Sequence, residues 1–256
     1  MTELDPEIPV GRDWLDRLHV RIIEPCVSAT HQFLDRDSRA AQQVDRLGTV
    51  LSLIDRFSSC YWGCHHEDHL KEYLVGRACT STSAAWILVR HGHYDASLGI
   101  ARDVGEIANL LMLFCSDAPA FERWRSADDR TRMRDFKPSQ IRRRLEQLNV
   151  PIPVGKDMYK VLSERATHVT PSTRPELYSN VDHPLAGGSF QEGGVRTCIA
   201  QIGFAVAMTA LTATRLLRPA EFRAEAIVTA ASDLLEFVRS RESPEVAQQG
   251  AAPERS

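Results

Sequence analysis

Three clusters in this 256-residue chain carry side chains suited to acid–base, nucleophilic or metal chemistry. The densest is Cys60-Tyr61-Trp62-Gly63-Cys64-His65-His66-Glu67-Asp68-His69. Cys60 and Cys64 are four apart, as are His65 and His69, so each pair can share one helix face. Zinc takes four nitrogen or sulfur ligands in a tetrahedron. This spacing is not that of a zinc finger or ribbon, no second Cys/His pair follows at the distance such a site needs, and Gly63 can break a helix between the cysteines. The cluster reads as a helix–helix junction with a buried cysteine or two and exposed histidines, and no metal or other cofactor is expected.

The second cluster is Arg102-Asp103-Val104-Gly105-Glu106. Arg102 and Glu106 are one helical turn apart in almost wholly apolar surroundings. A charge in such a setting needs a partner, and an Arg–carboxylate pair is the common solution. The pair reads either as an interior ion pair or as a support for a substrate-facing group. The third is Tyr159-x-x-x-Ser163-Glu164-Arg165-Ala166-Thr167-His168. Tyr159 and Ser163 share a helix face, and His168 falls where that helix meets a loop. A histidine there can exchange protons near neutral pH, or simply satisfy last-turn carbonyls. No orienting third group, oxyanion site or Gly-x-Ser-x-Gly elbow accompanies Ser163, which speaks against a serine hydrolase.

Charge adds a fourth feature. The chain is 43% apolar and 25% charged, with a formal net charge of -3. That balance excludes a disordered chain, a collagen-like repeat and a globally basic nucleic-acid binder. Residues 123–144 nevertheless hold nine Arg/Lys against three Asp, a local +6 that leaves -9 elsewhere. Arg130, Arg132, Arg134, Lys137, Arg142, Arg143 and Arg144 are candidates for contacting phosphate, guanidinium being matched to bidentate phosphate binding. The competing reading is a solvated helical face whose arginines pair with nearby carboxylates.

The elements that must position these residues are helices. Apolar residues recur at helical spacing over about 11–33 (bent or broken near Pro25), from a cap at Ser38 through Ile54, over 69–91 with Gly92 as terminator, and over 94–115. Pro119 and Pro138 open short helices, 157–167 forms another, and two long ones cover about 194–217 and 219–241. Strand alternation and hairpin turns are absent. The prediction is an all-α protein: a bundle of four to six long helices with extra short ones. It is expected as one domain over 1–241, with its core over about 38–217, and a disordered tail over 242–256. A Pro/Gly-rich loop, 168–194, is expected to pack over the bundle through Leu177, Tyr178, Val181, Leu185 and Phe190. Thr197–Thr214 is uncharged, but its threonines and Gln201 favour a buried bundle helix over a membrane span. With no secretory segment visible and sparse cysteines, a reducing cytoplasm is the expected setting.

One resemblance follows from Gly92-His93-Tyr94-Asp95-Ala96-Ser97-Leu98, Arg102, Glu106, Trp124, Phe136-Lys137-Pro138, Arg142, Tyr159-Lys160-Val161-Leu162-Ser163 and His168. Over about 80–178 the chain resembles a bacterial group of helical proteins similar to the HEPN superfamily. That resemblance implies a four-helix bundle, a homodimer, and RNA binding or metal-independent RNA cleavage in toxin or phage-defence systems. Active ribonucleases of that superfamily carry an Arg, then four to six intervening residues, then His; here that spacing occurs at Arg12…His19, with six between. Arg165, His168 and the Arg102/Glu106 pair are the nearest candidates for such a polar site. Two functional expectations stand side by side. One is a scaffold or small-ligand and partner-binding module with a polar Arg/Glu/His cleft; the other is an RNA-binding or RNA-cleaving protein.

Overall fold

A computed structural model of the chain describes residues 11–62, 69–166, 187–217 and 221–240. Every element among them is helical. In chain order these are α1 (Arg12–Leu18), α2 (Glu24–Arg36), α3 (Ser38–Ser58), α4 (Leu70–Arg90), α5 (Tyr94–Ser116), α6 (Ala118–Ser126), α7 (Asp129–Asp135), α8 (Pro138–Gln147), α9 (Lys156–Ala166), α10 (Glu192–Leu217) and α11 (Glu221–Arg239). The chain is all-α, as its periodicity predicts.

Local chemistry explains the boundaries. Between α1 and α2 the helix widens into one π-turn, His19–Ile23. Pro25 lies in the next turn and has no N–H to give, so the disruption falls just ahead of it. The cap of α3 is Asp37 rather than the expected Ser38: the Asp37 carboxylate accepts from the Ala40 amide at 2.9 Å. Gly92 ends α4 with φ +76, and the Gly92 and His93 amides donate to Val89 and Leu88 carbonyls at 3.1 and 2.9 Å.

At the centre lies α10, packed against α3, α4, α5 and α11. It is the described helix long and apolar enough to cross a membrane, yet 67% of its most apolar 18-residue stretch is buried in the protein. Its three buried threonines fit that interior because each hydroxyl bonds back along its own helix. Thr209, Thr212 and Thr214 donate to the Ala205, Met208 and Ala210 carbonyls at 2.9, 2.6 and 2.8 Å. The apolar core runs from Phe33 on α2 to Leu234 on α11, wider than 38–217.

α5 has two working faces. Leu98, Ala101, Val104 and Leu111 are buried in that core. The adjoining face carries Arg102, Gly105, Glu106 and Asn109, and α5 also receives α8 and α9. A second apolar cluster, Leu113, Phe114, Phe121, Ile141 and Leu145 among its members, ties α6 and α8 to the C-terminal half of α5. Phe114, Phe121 and Trp124 pack ring against ring within it at centroid separations of 5.3 to 6.4 Å, Phe114 edge-on to Phe121 and Trp124 stacked on Phe121.

Of the expected long loop, Leu177, Tyr178, Val181 and Leu185 lie outside the described residues. Its end, 187–191, crosses the α4–α5 turn. A Cβ on Gly188 would run into the His91 carbonyl, so the backbones touch as only glycine permits. Phe190 packs 6.1 Å from Phe33, and the Gln191 amide donates to the Tyr94 hydroxyl at 2.9 Å.

Candidate functional site

The polar face of α5 closes on itself. Arg102 Nη2 is 2.7 Å from Glu106 Oε1 and also donates to the Tyr159 hydroxyl, which arrives from α9. The Tyr159 ring lies against two guanidinium groups, Arg102 at 4.7 Å and Arg142 of α8 at 4.2 Å from its centroid. Three helices therefore meet at one phenol. Burial pushes the Glu106 carboxyl above the usual carboxylate range, and Arg102 and Tyr159 pull back only part of that rise. Burial works against the charged Arg102, but Tyr159 and Glu106 outweigh it and hold its proton more tightly than usual.

A backbone clasp sets the register of this meeting point. The Asn109 side-chain amide donates to the Val154 carbonyl at 3.0 Å, and its oxygen accepts from the Val154 N–H at 2.9 Å. Gly105 lets Val154 close in: a Cβ there would be 3.0 Å from Val154 Cγ2. One turn beyond Tyr159, Ser163 is 6% exposed, and its hydroxyl has no hydrogen-bond partner among the described residues. Arg165 belongs to α9 by its backbone, but its side chain and all of His168 lie outside the described residues. Of the six acid–base candidates, the structure brings Arg102, Glu106 and Tyr159 together and adds Arg142, a residue assigned by sequence to phosphate contact.

The basic segment folds into α6, α7 and α8, the second of which sequence periodicity did not indicate. Its arginines divide into paired and unpaired. Arg132 meets Asp129 at 2.7 Å, Arg134 meets Asp135 at 2.6 Å, and Arg125 meets Glu122 at 2.5 Å. Asp117, with its side chain 10% exposed, uses one oxygen to hold both Arg123 (2.9 Å) and Arg144 (3.3 Å). Burial alone would raise the Asp117 carboxyl, but the two guanidinium groups bring it below the usual range. Arg130, Lys137 and Arg143 make no ion pair with a described residue.

A cavity of about 570 Å³ opens among these helices. Gln140, Arg143, Arg144 and Gln147 line one wall; their i, i+3, i+4, i+7 spacing puts them on a single face of α8. Ile141 and Leu145 face inward and bury that helix in the second apolar cluster. Arg123, Thr131 and Phe136 also line it, as does Asp135, whose carboxylate is engaged by Arg134 at 2.6 Å. Sequence reading reached the cations but missed Gln140, Gln147 and the Asp117 clasp. The signal for the glutamines was present in the α8 periodicity; nothing local marks Asp117, which meets Arg144 across 27 residues.

In the Cys/His cluster, Cys60 is exposed rather than buried, and its Sγ lies 3.8 Å from His69 Nδ1. Cys64 and His65 are outside the described residues. Among the described residues no group of three or more His, Cys, Asp or Glu converges on a metal position.

No protein-family model, curated protein or solved structure matches this chain. The functional reading therefore rests on its own residues.

Proposed function

We propose that the protein is a helical-bundle binding module whose ligand is a small phosphate-bearing molecule held in the cavity between α6, α7 and α8. The observation that carries this reading is the cavity itself, where Arg123, Arg143 and Arg144 border Phe136 and two glutamines, and the one carboxylate in the lining, Asp135, is already paired with Arg134. Its volume of about 570 Å³ falls in the small-molecule range of roughly 300–1,000 Å³. Guanidinium groups fit phosphate oxygens bidentately, and an aromatic ring beside them offers a face for a planar group. Asp117 holds two of the three arginines in place before any ligand arrives. That ordering reduces the entropy lost on binding. In this reading the Arg102–Glu106–Tyr159–Arg142 cluster fixes α8 against α5 and α9 rather than handling substrate.

The test is thermal unfolding and calorimetric titration with inorganic pyrophosphate and with ADP. A ligand at 100 times its Kd adds about 2.7 kcal/mol of stability, readable as a rise in Tm. Arg143→Ala and Arg144→Ala should each weaken binding by tenfold or more. No rise with either probe, or a rise unchanged in both variants, overturns the reading.

A second reading, contact with RNA, draws on the exposed positions of Arg130 and Arg143 in a segment with a local +6. Incubation with total RNA beside His168→Ala and Arg165→Ala variants tests its catalytic form. RNA loss undiminished in both variants removes those residues from the chemistry.

A further inference from the structure

The described cysteines differ in environment. Cys26 and Cys198 are buried, Cys79 and Cys115 are half-buried, and Cys60 is exposed. Burial pushes the thiols of Cys26 and Cys198 up and that of Cys79 to about 11, so these three stay protonated and inert at neutral pH.

Cys60 differs in more than exposure. It opens a single 3₁₀ turn, Cys60–Trp62, directly after α3. His69 directly precedes α4, where its carbonyl accepts from the Tyr73 amide at 2.8 Å. The His69 ring rests edge-on to the Tyr73 ring, with centroids 6.3 Å apart. The imidazole is thus tied to the start of α4, and its Nδ1 faces Cys60 Sγ at 3.8 Å. A thiol within reach of an oriented imidazole is the arrangement that activates sulfur as a nucleophile. Neither the cavity nor the α5 polar face uses it.

We propose that Cys60 and His69 form a nucleophilic thiol–imidazole pair, a modification site whose substrates are hydroperoxides. In the step, His69 Nδ1 takes the thiol proton and Cys60 Sγ attacks the terminal peroxide oxygen. The S–O bond forms as the O–O bond breaks. The departing oxygen takes the proton back from the imidazolium and leaves as water or an alcohol. Cysteine is oxidised to sulfenic acid, and the peroxide is reduced.

The experiment uses the full chain, reduced and desalted. Alkylation by iodoacetamide is followed at each cysteine by peptide mass spectrometry from pH 5 to 9, and hydrogen peroxide is then added with dimedone as a sulfenic-acid trap. Cys60 should alkylate at least tenfold faster than Cys79 and Cys115 at pH 7, with an inflection below the ordinary thiol value of about 8.5. It should also carry the dimedone adduct. His69→Ala and His69→Asn should both return the inflection to the ordinary value and slow the neutral-pH rate; the asparagine variant keeps a polar group at that position should alanine disturb the turn. An ordinary profile at Cys60, or an inflection unmoved in both variants, overturns the proposal. So does a Cys60 that reacts only after a chelator or further reductant is added, since the thiol is then engaged by a metal or a disulfide.

Discussion

Asp117 shows how one carboxylate organises a charged surface. Its single oxygen bridges Arg123 on α6 and Arg144 on α8, and both arginines border the cavity. Each ion pair has a half-exposed arginine, which keeps it within the range of about 0.2–1 kcal/mol for surface pairs. Asp117→Asn should therefore cost about 1 kcal/mol in urea unfolding. Its larger effect should be on ligand: Arg123 and Arg144 lose their common anchor, and pyrophosphate affinity changes. The pH dependence has a definite sign. Asp117 and Asp37 both have folded carboxyls below the usual range, Asp37 because the Ala40 amide and Arg196 outweigh its burial. Their contribution is complete above the unfolded carboxylate value and is lost as pH falls through the folded one. Glu106 runs the other way: its raised carboxyl favours the folded state as pH falls through that raised value. Acid titration of wild type beside Asp117→Asn should show a shallower acid loss in the variant. An identical slope would remove Asp117 from the acid transition.

Among elements, the clasp between α5 and the segment leading into α9 is the point of least tolerance. Asn109 satisfies both polar groups of the Val154 backbone inside the protein. Asn109→Ala leaves a buried N–H and a buried carbonyl without partners, at a cost on the order of 3 kcal/mol. Asn109→Asp should fare no better, because a carboxylate accepts from the amide but has no N–H for the carbonyl. Circular dichroism melts of the two variants check this, and near-wild-type stability in alanine would show that the clasp is dispensable. Legibility in the sequence divides along the same line. The long helices were readable because α4, α5 and α10 repeat apolar residues over several turns. α7, seven residues without a buried side chain, offered no such stripe. Ser38 and Asp37 are both good caps, and only the backbone geometry chose Asp37. Arg102–Glu106 was readable from its i, i+4 spacing, whereas Tyr159 reaches it across 57 residues.

At the scale of the whole molecule, stability is concentrated around α10. Ile202 is 2% exposed at the middle of that helix, within the main core. Ile202→Ala should cost about 2–5 kcal/mol, since the cavity it leaves is walled by several helices at once. A single unfolding transition at lower denaturant with unchanged slope would confirm a cooperative core; two transitions would show that α6–α8 unfold separately. Composition and periodicity alone determined the helical class, most helix boundaries and the concentration of positive charge over 123–144. Those properties depend on residues within a few turns of one another, where spacing dictates which side chains share a face. Only tertiary structure decided which charges are spent and which are free. It set Arg142 against Tyr159, gave Arg123 and Arg144 to Asp117, and left Arg143 facing a cavity. Whether a charge is neutralised depends on contacts between helices distant in sequence, and no local pattern records which helices those are.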